Sequence, residues 1–279
     1  MIINNKKMKF ERYSSKELKL KNSYLQSFII NNQVDIIYNN EISLFELLIV
    51  LDYYKSLNVV INLTLCYLPY QRMDHSNTNN VETIKNISNI FNSFNLNNLY
   101  ICEPHCELNY FKNATKINII EKLFDKVINE IDFNTQKDFV IFTDKGSVKK
   151  FSHLCKNYAY GEKTRNDSTG LINSYKLIGQ ISANQKILIV DDIISSGDTI
   201  CEILKTLKDC NNEIYLLCAH LENNKFNKRL DHSDKIKKIF ASNSLTKKST
   251  QKRKLFNIKE IMYEQTRSYQ HYKLDKKLF

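Results

Sequence analysis

The chain has 279 residues, 42% hydrophobic, 11% aromatic and 25% charged, a composition that excludes intrinsic disorder. At this length roughly 70–75% of the unfolded surface can be buried, so no disulfide or metal staple is needed. The formal net charge of +11 points to a polyanionic partner such as a nucleotide, a phosphosugar or nucleic acid. The chain is also saturated with Asn, Lys and Ile, as an AT-rich coding sequence would make it, so basicity alone does not choose among these.

Seven cysteines are an odd number, without a Cys-x-x-Cys pair, and several (Cys66, Cys102, Cys218) sit in apolar runs. That argues against a disulfide framework and a structural zinc site. Cys102, His105 and Cys106 lie close together but lack a second ligand pair. The N-terminus MIINNKKMKF has no apolar signal core, and no apolar run approaches the ~18 residues of a membrane span. Leu44–Leu51, one of the longest, is broken by Glu46. The expected setting is a reducing cytoplasm with no membrane partner.

In chain order, residues 1–43 suggest short strands around Tyr24–Ile30 and Val34–Tyr38. Leu44, Leu47, Leu48, Leu51 and Tyr54 are spaced as one face of a helix, with Ser43 as its cap. Val59–Leu68 reads as a strand, Val81–Phe94 as a helix, and Leu99–Cys102 and Ile117–Ile120 as strands, the last followed by a helix to about Ile131. After the polar Asp132–Asp138, a second series begins with a strand at Phe139–Phe142 and a helix over Gly146–Tyr158. A glycine-containing excursion spans Gly161–Gly179. Strands at Ile187–Val190, Ile214–Cys218 and Ile239–Ala241 follow, with a helix after Gly197, a Lys-rich segment from Thr246, and a helix from Ile258. Alternating β and α elements call for parallel sheets with right-handed crossovers. Two such series predict an α/β fold of two domains, 1–133 and 134–257, with a C-terminal helix and tail at 258–279.

The segment Lys186–Cys201, KILIVDDIISSGDTIC, is the most telling. Its apolar run stops at Asp191 and Asp192; Ser195, Ser196, Gly197, Asp198 and Thr199 follow, and Ile200, Ile203, Leu204 and Leu207 resume at helical spacing. In such a strand–turn–helix, backbone N–H groups face an anion while paired carboxylates are free for ribose hydroxyls. Used only as turn and cap residues, the same side chains would mark an ordinary βα loop.

In open α/β sheets, ligands bind beyond the carboxyl ends of strands. Four predicted strand ends carry polar clusters: Pro69-Tyr70-Gln71-Arg72-Met73-Asp74-His75, Glu103-Pro104-His105, Thr143-Asp144-Lys145-Gly146-Ser147, and Asp191-Asp192. The five glycines all lie between Gly146 and Gly197, and both prolines, Pro69 and Pro104, just past strand ends.

On these residues a resemblance becomes specific. Asp191 to Thr199 resembles the phosphoribosyl-pyrophosphate loop of type I phosphoribosyltransferases and ribose-phosphate pyrophosphokinases. Pro69 to Asp74 is similar to the pyrophosphokinase element Pro-Tyr-Ala-Arg-Gln-Asp. Glu103-Pro104-His105 resembles their Asp-Pro-His or Asp-Leu-His element, Asp144 to Lys150 their Pro-Asp-x-Gly-x-x-Lys segment, and Lys163-Thr164-Arg165 their Lys-x-Arg loop. The resemblance runs in the family's order from roughly Leu44 to Leu245.

It implies two phosphoribosyltransferase-like domains, each a mainly parallel sheet flanked by helices, and transfer of the β,γ-pyrophosphoryl group of ATP to the C1 hydroxyl of ribose 5-phosphate with Mg²⁺. Carried over, Arg72, Asp74 and His105 would contact ATP, and His105 and Asp144 would hold magnesium or its waters. Lys163 and Arg165 would close on the migrating phosphates and act as the catalytic pair. Asp191 and Asp192 would hold ribose hydroxyls, and Ser195, Ser196, Gly197, Asp198 and Thr199 the 5-phosphate. A homo-oligomer, dimer or hexamer, is also implied, with small-molecule substrates and no nucleic acid.

Taken singly, these residues have ordinary readings. Lys163 and Arg165 would be solvated charges, His105 structural, Asp144 a helix cap, and Arg72 with Asp74 a surface ion pair worth about 0–1 kcal/mol. Three departures stand out: no clear Phe-x-Asp-Gly-Glu element near Phe28–Val34, Met73 for the usual Gln, and Asp198 where Gly is common. The segments around Leu68–Tyr70 and Lys163–Gly170 resemble a divergent branch found in phages beside nicotinamide-salvage enzymes, which implies ADP-ribose as an alternative acceptor. A non-catalytic regulatory paralogue is a further alternative.

Overall fold

The computed structural model describes residues 1–76, 80–165, 172–207, 211–224 and 228–263, with Arg165, Ile172 and Lys228 described at the backbone alone. The chain divides into two compact units, Met1–Ile117 and Asn118–Phe279.

The first unit holds β1 (Ile2–Ile3), β2 (Lys6–Lys7), the hairpin of β3 (Glu11–Arg12) and β4 (Leu18–Lys19), β5 (Gln33–Tyr38), β6 (Val60–Leu65), β7 (Asn98–Cys102) and β8 (Ala114–Ile117). Its main sheet has the order β2-β1-β5-β6-β7-β8, parallel from β5 to β8. Helices α1 (Asn22–Gln26), α2 (Leu44–Ser56) and α3 (Thr83–Asn92) accompany it. Helix α2 begins with a capping box: Ser43 Oγ accepts from Glu46 N at 3.2 Å, and the Glu46 carboxylate accepts from Ser43 N at 2.8 Å. The glutamate that interrupts the apolar run therefore starts the helix, whose Leu47, Val50, Leu51 and Tyr54 are buried. Where a strand was expected around Tyr24–Ile30, the chain forms α1 and a turn. Buried Leu25 and Phe28 are spaced i, i+3, a helical interval and not a strand's.

The second unit holds α4 (Ile119–Glu130), β9 (Phe139–Phe142), α5 (Lys145–Phe151), β10 (Tyr158–Arg165), β11 (Ile172–Ile178), β12 (Lys186–Ile194), α6 (Asp198–Thr206), β13 (Glu213–Leu221), α7 (Lys228–Asp231), β14 (Ile236–Ser242) and β15 (Arg253–Phe256). Residues 258–263 are helical; the rest of the expected C-terminal tail lies outside the described residues. The sheet order is β11-β10-β9-β12-β13-β14-β15, parallel except for the β10–β11 pair. Central residues such as Val140, Leu188, Ile189, Leu216, Leu217 and Ile239 are buried, as expected for strands covered on both faces. Helix α4, placed in the first domain by the sequence reading, packs against β13 and β14. Its Glu130 takes Lys238 and Lys254 at 2.9 and 2.6 Å.

Three further expectations change. The helix from Gly146 ends at Phe151 and is followed by a 3₁₀ turn to Leu154, because Tyr158–Tyr160 pair in parallel with Val140–Phe142. The glycine-containing excursion is the antiparallel β10–β11 hairpin, whose Lys, Glu and Thr residues hide the strand pattern; Gly170 lies outside the described residues. Strand β12 runs through the two aspartates, since Asp191 still pairs with Cys218 and Ile193 with His220.

Candidate functional site

Neighbouring parallel strands β9 and β12 carry a polar cluster at their carboxyl ends. Asp144, just past β9, caps α5: its Oδ1 accepts from Ser147 N at 2.9 Å, and its Oδ2 from Lys163 Nζ of β10 at 2.5 Å. Burial opposes ionisation of Asp144, but the Lys163 ammonium and the Ser147 N–H outweigh it and hold its carboxyl below the usual range. The half-buried Asp191 carboxylate accepts from Thr143 Oγ1 at 2.7 Å, Ser147 Oγ at 2.9 Å and Asp192 N at 3.0 Å. Its desolvation, together with the charges of Asp192 and Asp144, pushes its pKa up to about 7. Asp192 is buried and paired with Lys150 Nζ at 2.5 Å. The aspartate pair is thus built into a network of hydroxyls and ammoniums, with Lys163 at its edge. For Arg165 the side chain lies outside the described residues.

The turn after β12 is shaped by Gly197, whose φ of +76° is the left-handed conformation glycine tolerates best and which serves as N-cap of α6. Ser195 Oγ donates to Glu222 Oε2 at 2.7 Å, and Ser196 Oγ to Asp198 Oδ2 at 2.5 Å. Arg229, from α7, donates to Ser196 O at 2.8 Å and pairs with Asp198. Thr199 is half-buried in the first turn of α6. Five consecutive predicted residues therefore share one turn, which holds two carboxylates, that of Asp198 among the five and that of Glu222.

In the first unit, neighbouring strands β6 and β7 lead into the Pro69–His75 and Glu103–His105 segments. Gln71, fully buried, joins them: its Oε1 accepts from His105 N at 2.7 Å. Arg72 is exposed, while Asp74 is half-buried and 3.7 Å from His75 Nε2. The structure thus brings Arg72, Asp74 and His105 onto adjoining loops of one sheet.

Among the described residues no group of three or more His, Cys, Asp or Glu side chains is arranged to hold a metal. The crowding that lifts Asp191 is nevertheless a local excess of carboxylate that a hard divalent cation would relieve. Mg²⁺ takes one or two carboxylates plus substrate phosphates and does not need a protein cage, so Asp144 fits it.

Residues 108–251, more than half of the chain, match the family model described as the phosphoribosyl transferase domain. The chain belongs to the phosphoribosyl transferase family. A ribose-phosphate pyrophosphokinase of Sulfurisphaera tokodaii is 31% identical over 110 residues, 37% of this chain and 37% of that protein. One from Saccharolobus solfataricus is 30% identical over 113 residues, 38% of each. The chain thus aligns with less than two-fifths of the length of these relatives. A phosphoribosylpyrophosphate synthetase crystal structure from Mycobacterium smegmatis superposes with a TM-score of 0.74 at 15% identity, covering 95% of this chain and 90% of that one. This shows the fold: two phosphoribosyltransferase-like units, each a mainly parallel sheet flanked by helices.

Within this family member, several contributors escaped sequence reasoning. Arg229 and Glu222 reach the turn from strand and helix ends about thirty residues on, where Lys and Arg are too common to mark a site. Gln71 left a readable signal, since the pyrophosphokinase element has Ala in its place.

Proposed function

We propose that the chain is a diphosphotransferase that moves the β,γ-pyrophosphoryl group of ATP to the C1 hydroxyl of ribose 5-phosphate. The C1 oxygen attacks the β-phosphorus, the bond from that phosphorus to the α,β-bridging oxygen breaks, and AMP leaves. The observation that carries this reading is the Asp144–Lys163 and Asp191–Asp192 cluster at adjoining strand ends, followed directly by the Gly197 turn. The likeness to ribose-phosphate pyrophosphokinases supports it.

In this reading Ser195 to Thr199 bind the 5-phosphate. Asp191 bonds a ribose hydroxyl through the one carboxylate lone pair its three present donors leave, and Asp192 supports it. Lys163 and Arg165 neutralise the migrating phosphates, while Arg72, Asp74 and His105 bind ATP. Mg²⁺ would be held by Asp144 together with substrate phosphates and would neutralise phosphate charge; the resemblance that suggests His105 as a second ligand is not met by an oxygen donor on that side chain. Positioning and charge neutralisation suffice for such transfers. The protein acts as a cytoplasmic homo-oligomer on small molecules. Incubation with ATP, Mg²⁺ and ribose 5-phosphate should yield AMP and phosphoribosyl pyrophosphate; absence of both refutes the reading.

A second acceptor is favoured by one observation. The turn's serine hydroxyls are committed to the carboxylates of Glu222 and Asp198. A phosphate monoester brings about −1.5 to −2 charge beside them, whereas each phosphate of a diphosphate diester such as ADP-ribose carries one acidic oxygen. AMP released with ADP-ribose but not with ribose 5-phosphate would select this acceptor, and with it a place in NAD salvage.

A further inference from the structure

Tyr175 has no part in the site as described, yet its surroundings are unusual. In the β10–β11 ladder it stands directly opposite Lys163, so the two side chains share a face. Gly161, two residues before Lys163, lies on that face too. The Tyr175 ring folds back over Gly161: a methyl group added there would fall 2.1 Å from the phenol oxygen and 2.5 Å from the Thr143 carbonyl oxygen. The missing side chain at 161 is therefore what admits the hydroxyl, next to the backbone leading into Asp144. The hydroxyl is buried and has no hydrogen-bond partner among the described residues.

Covering a glycine across an antiparallel pair is an ordinary task for an aromatic ring, but phenylalanine would perform it equally well. Burying a donor without an acceptor is destabilising, so the hydroxyl calls for a separate reason. Its ladder partner Lys163 carries an ammonium that offers three donors and is bonded to Asp144 through one contact. Two donors on one face match a group with several acceptor oxygens; a phosphoryl group is such a group, and a lone hydroxyl or carbonyl is not.

We infer that Tyr175 is a ligand-contact residue whose hydroxyl donates to an anionic phosphoryl oxygen bound beside Lys163. This deepens the pyrophosphoryl-transfer reading and rests on it for the nature of the anion. The test is calorimetric titration of inorganic pyrophosphate with Mg²⁺ into the full chain and into Tyr175→Phe, with melting curves of both. Loss of one donor to a charged acceptor should weaken pyrophosphate binding about tenfold or more. The melting temperature should stay the same or rise, because the hydroxyl has no partner among the described residues. Equal affinities for wild type and Tyr175→Phe overturn the assignment, as does failure of pyrophosphate to bind the wild type. Pyrophosphate binding that depends on Tyr175, without AMP release from any acceptor, sinks the proposed function and leaves the Tyr175 contact standing. AMP release with unchanged pyrophosphate affinity sinks only the contact.

Discussion

The strand ends of the two units solve the same problem differently. Just past β9 and within the last residues of β12, three aspartates are held by two lysines, two hydroxyls and two backbone N–H groups. Beyond β6 and β7, Arg72 is exposed, Asp74 is within 3.7 Å of His75, and Gln71 links the two segments through one side-chain bond. The first arrangement is preorganised, so its charges are in place before a ligand arrives, which is where electrostatic stabilisation gains most. The second leaves Arg72 in water, where a ligand must order it.

The contrast predicts where substitutions will hurt. Lys163→Ala removes a preorganised cation and should lower the rate of AMP release by about 10²–10³-fold; a loss under threefold would mean that this cluster is not the transfer site. Removing Lys163 also removes what holds the Asp144 carboxyl down, so its pKa, followed by carboxyl NMR, should rise.

The pH dependence of stability should carry the signature of Asp191. Its folded-state pKa is raised to about 7 from an ordinary value near ~4, so its contribution is fully present below pH ~4 and lost as pH rises through about 7. Asp144, with its lowered pKa, has the opposite sign and loses its contribution as pH falls below the ordinary aspartate range. In metal-free buffer, Asp191→Asn should flatten the decline in melting temperature between pH ~4 and 7. An unchanged profile would show that Asp191 does not titrate there.

Gln71→Ala tests the looser region. It removes the acceptor of the His105 N–H bond, worth about 0.5–1.5 kcal/mol, together with an amide nitrogen that has no partner among the described residues. Emptying this fully buried position should cost about 1–3 kcal/mol of stability, while the KM for ATP rises several-fold and kcat holds. A fall in kcat alone would mean that the loop is as preorganised as its counterpart. Smallest of all should be the stability effect of Arg229→Ala. Its pair with Asp198 is 40% and 46% exposed, and exposed pairs give under about 1 kcal/mol. Thermal melting checks this.

Much of the site was legible because its residues sit at strand ends in short contiguous runs. Asp191 to Thr199 reads as strand, turn and helix start, and Gly197 takes the positive φ such a turn needs. Ser43 and Glu46 likewise announce a capping box. The β10–β11 hairpin was not legible, because its polar, charged strands have neither apolar alternation nor a tight-turn signature. Strand β15 was hidden in a Lys-rich segment for the same reason.

The sequence by itself determined the alternation of strands and helices, the two-unit α/β class and the polar clusters at four strand ends, because these depend on local periodicity and on contiguous residue types. Only the tertiary structure decided that β12 continues through its aspartates, that Lys163 is tied to Asp144, that Glu222 and Arg229 close on the Ser195–Ser196 turn, and that Tyr175 lies in the space Gly161 leaves. Those contacts join residues from roughly fifteen to thirty-five positions apart. They arise from ladder register and from the need to satisfy buried charge, neither of which leaves a mark in any short stretch of chain.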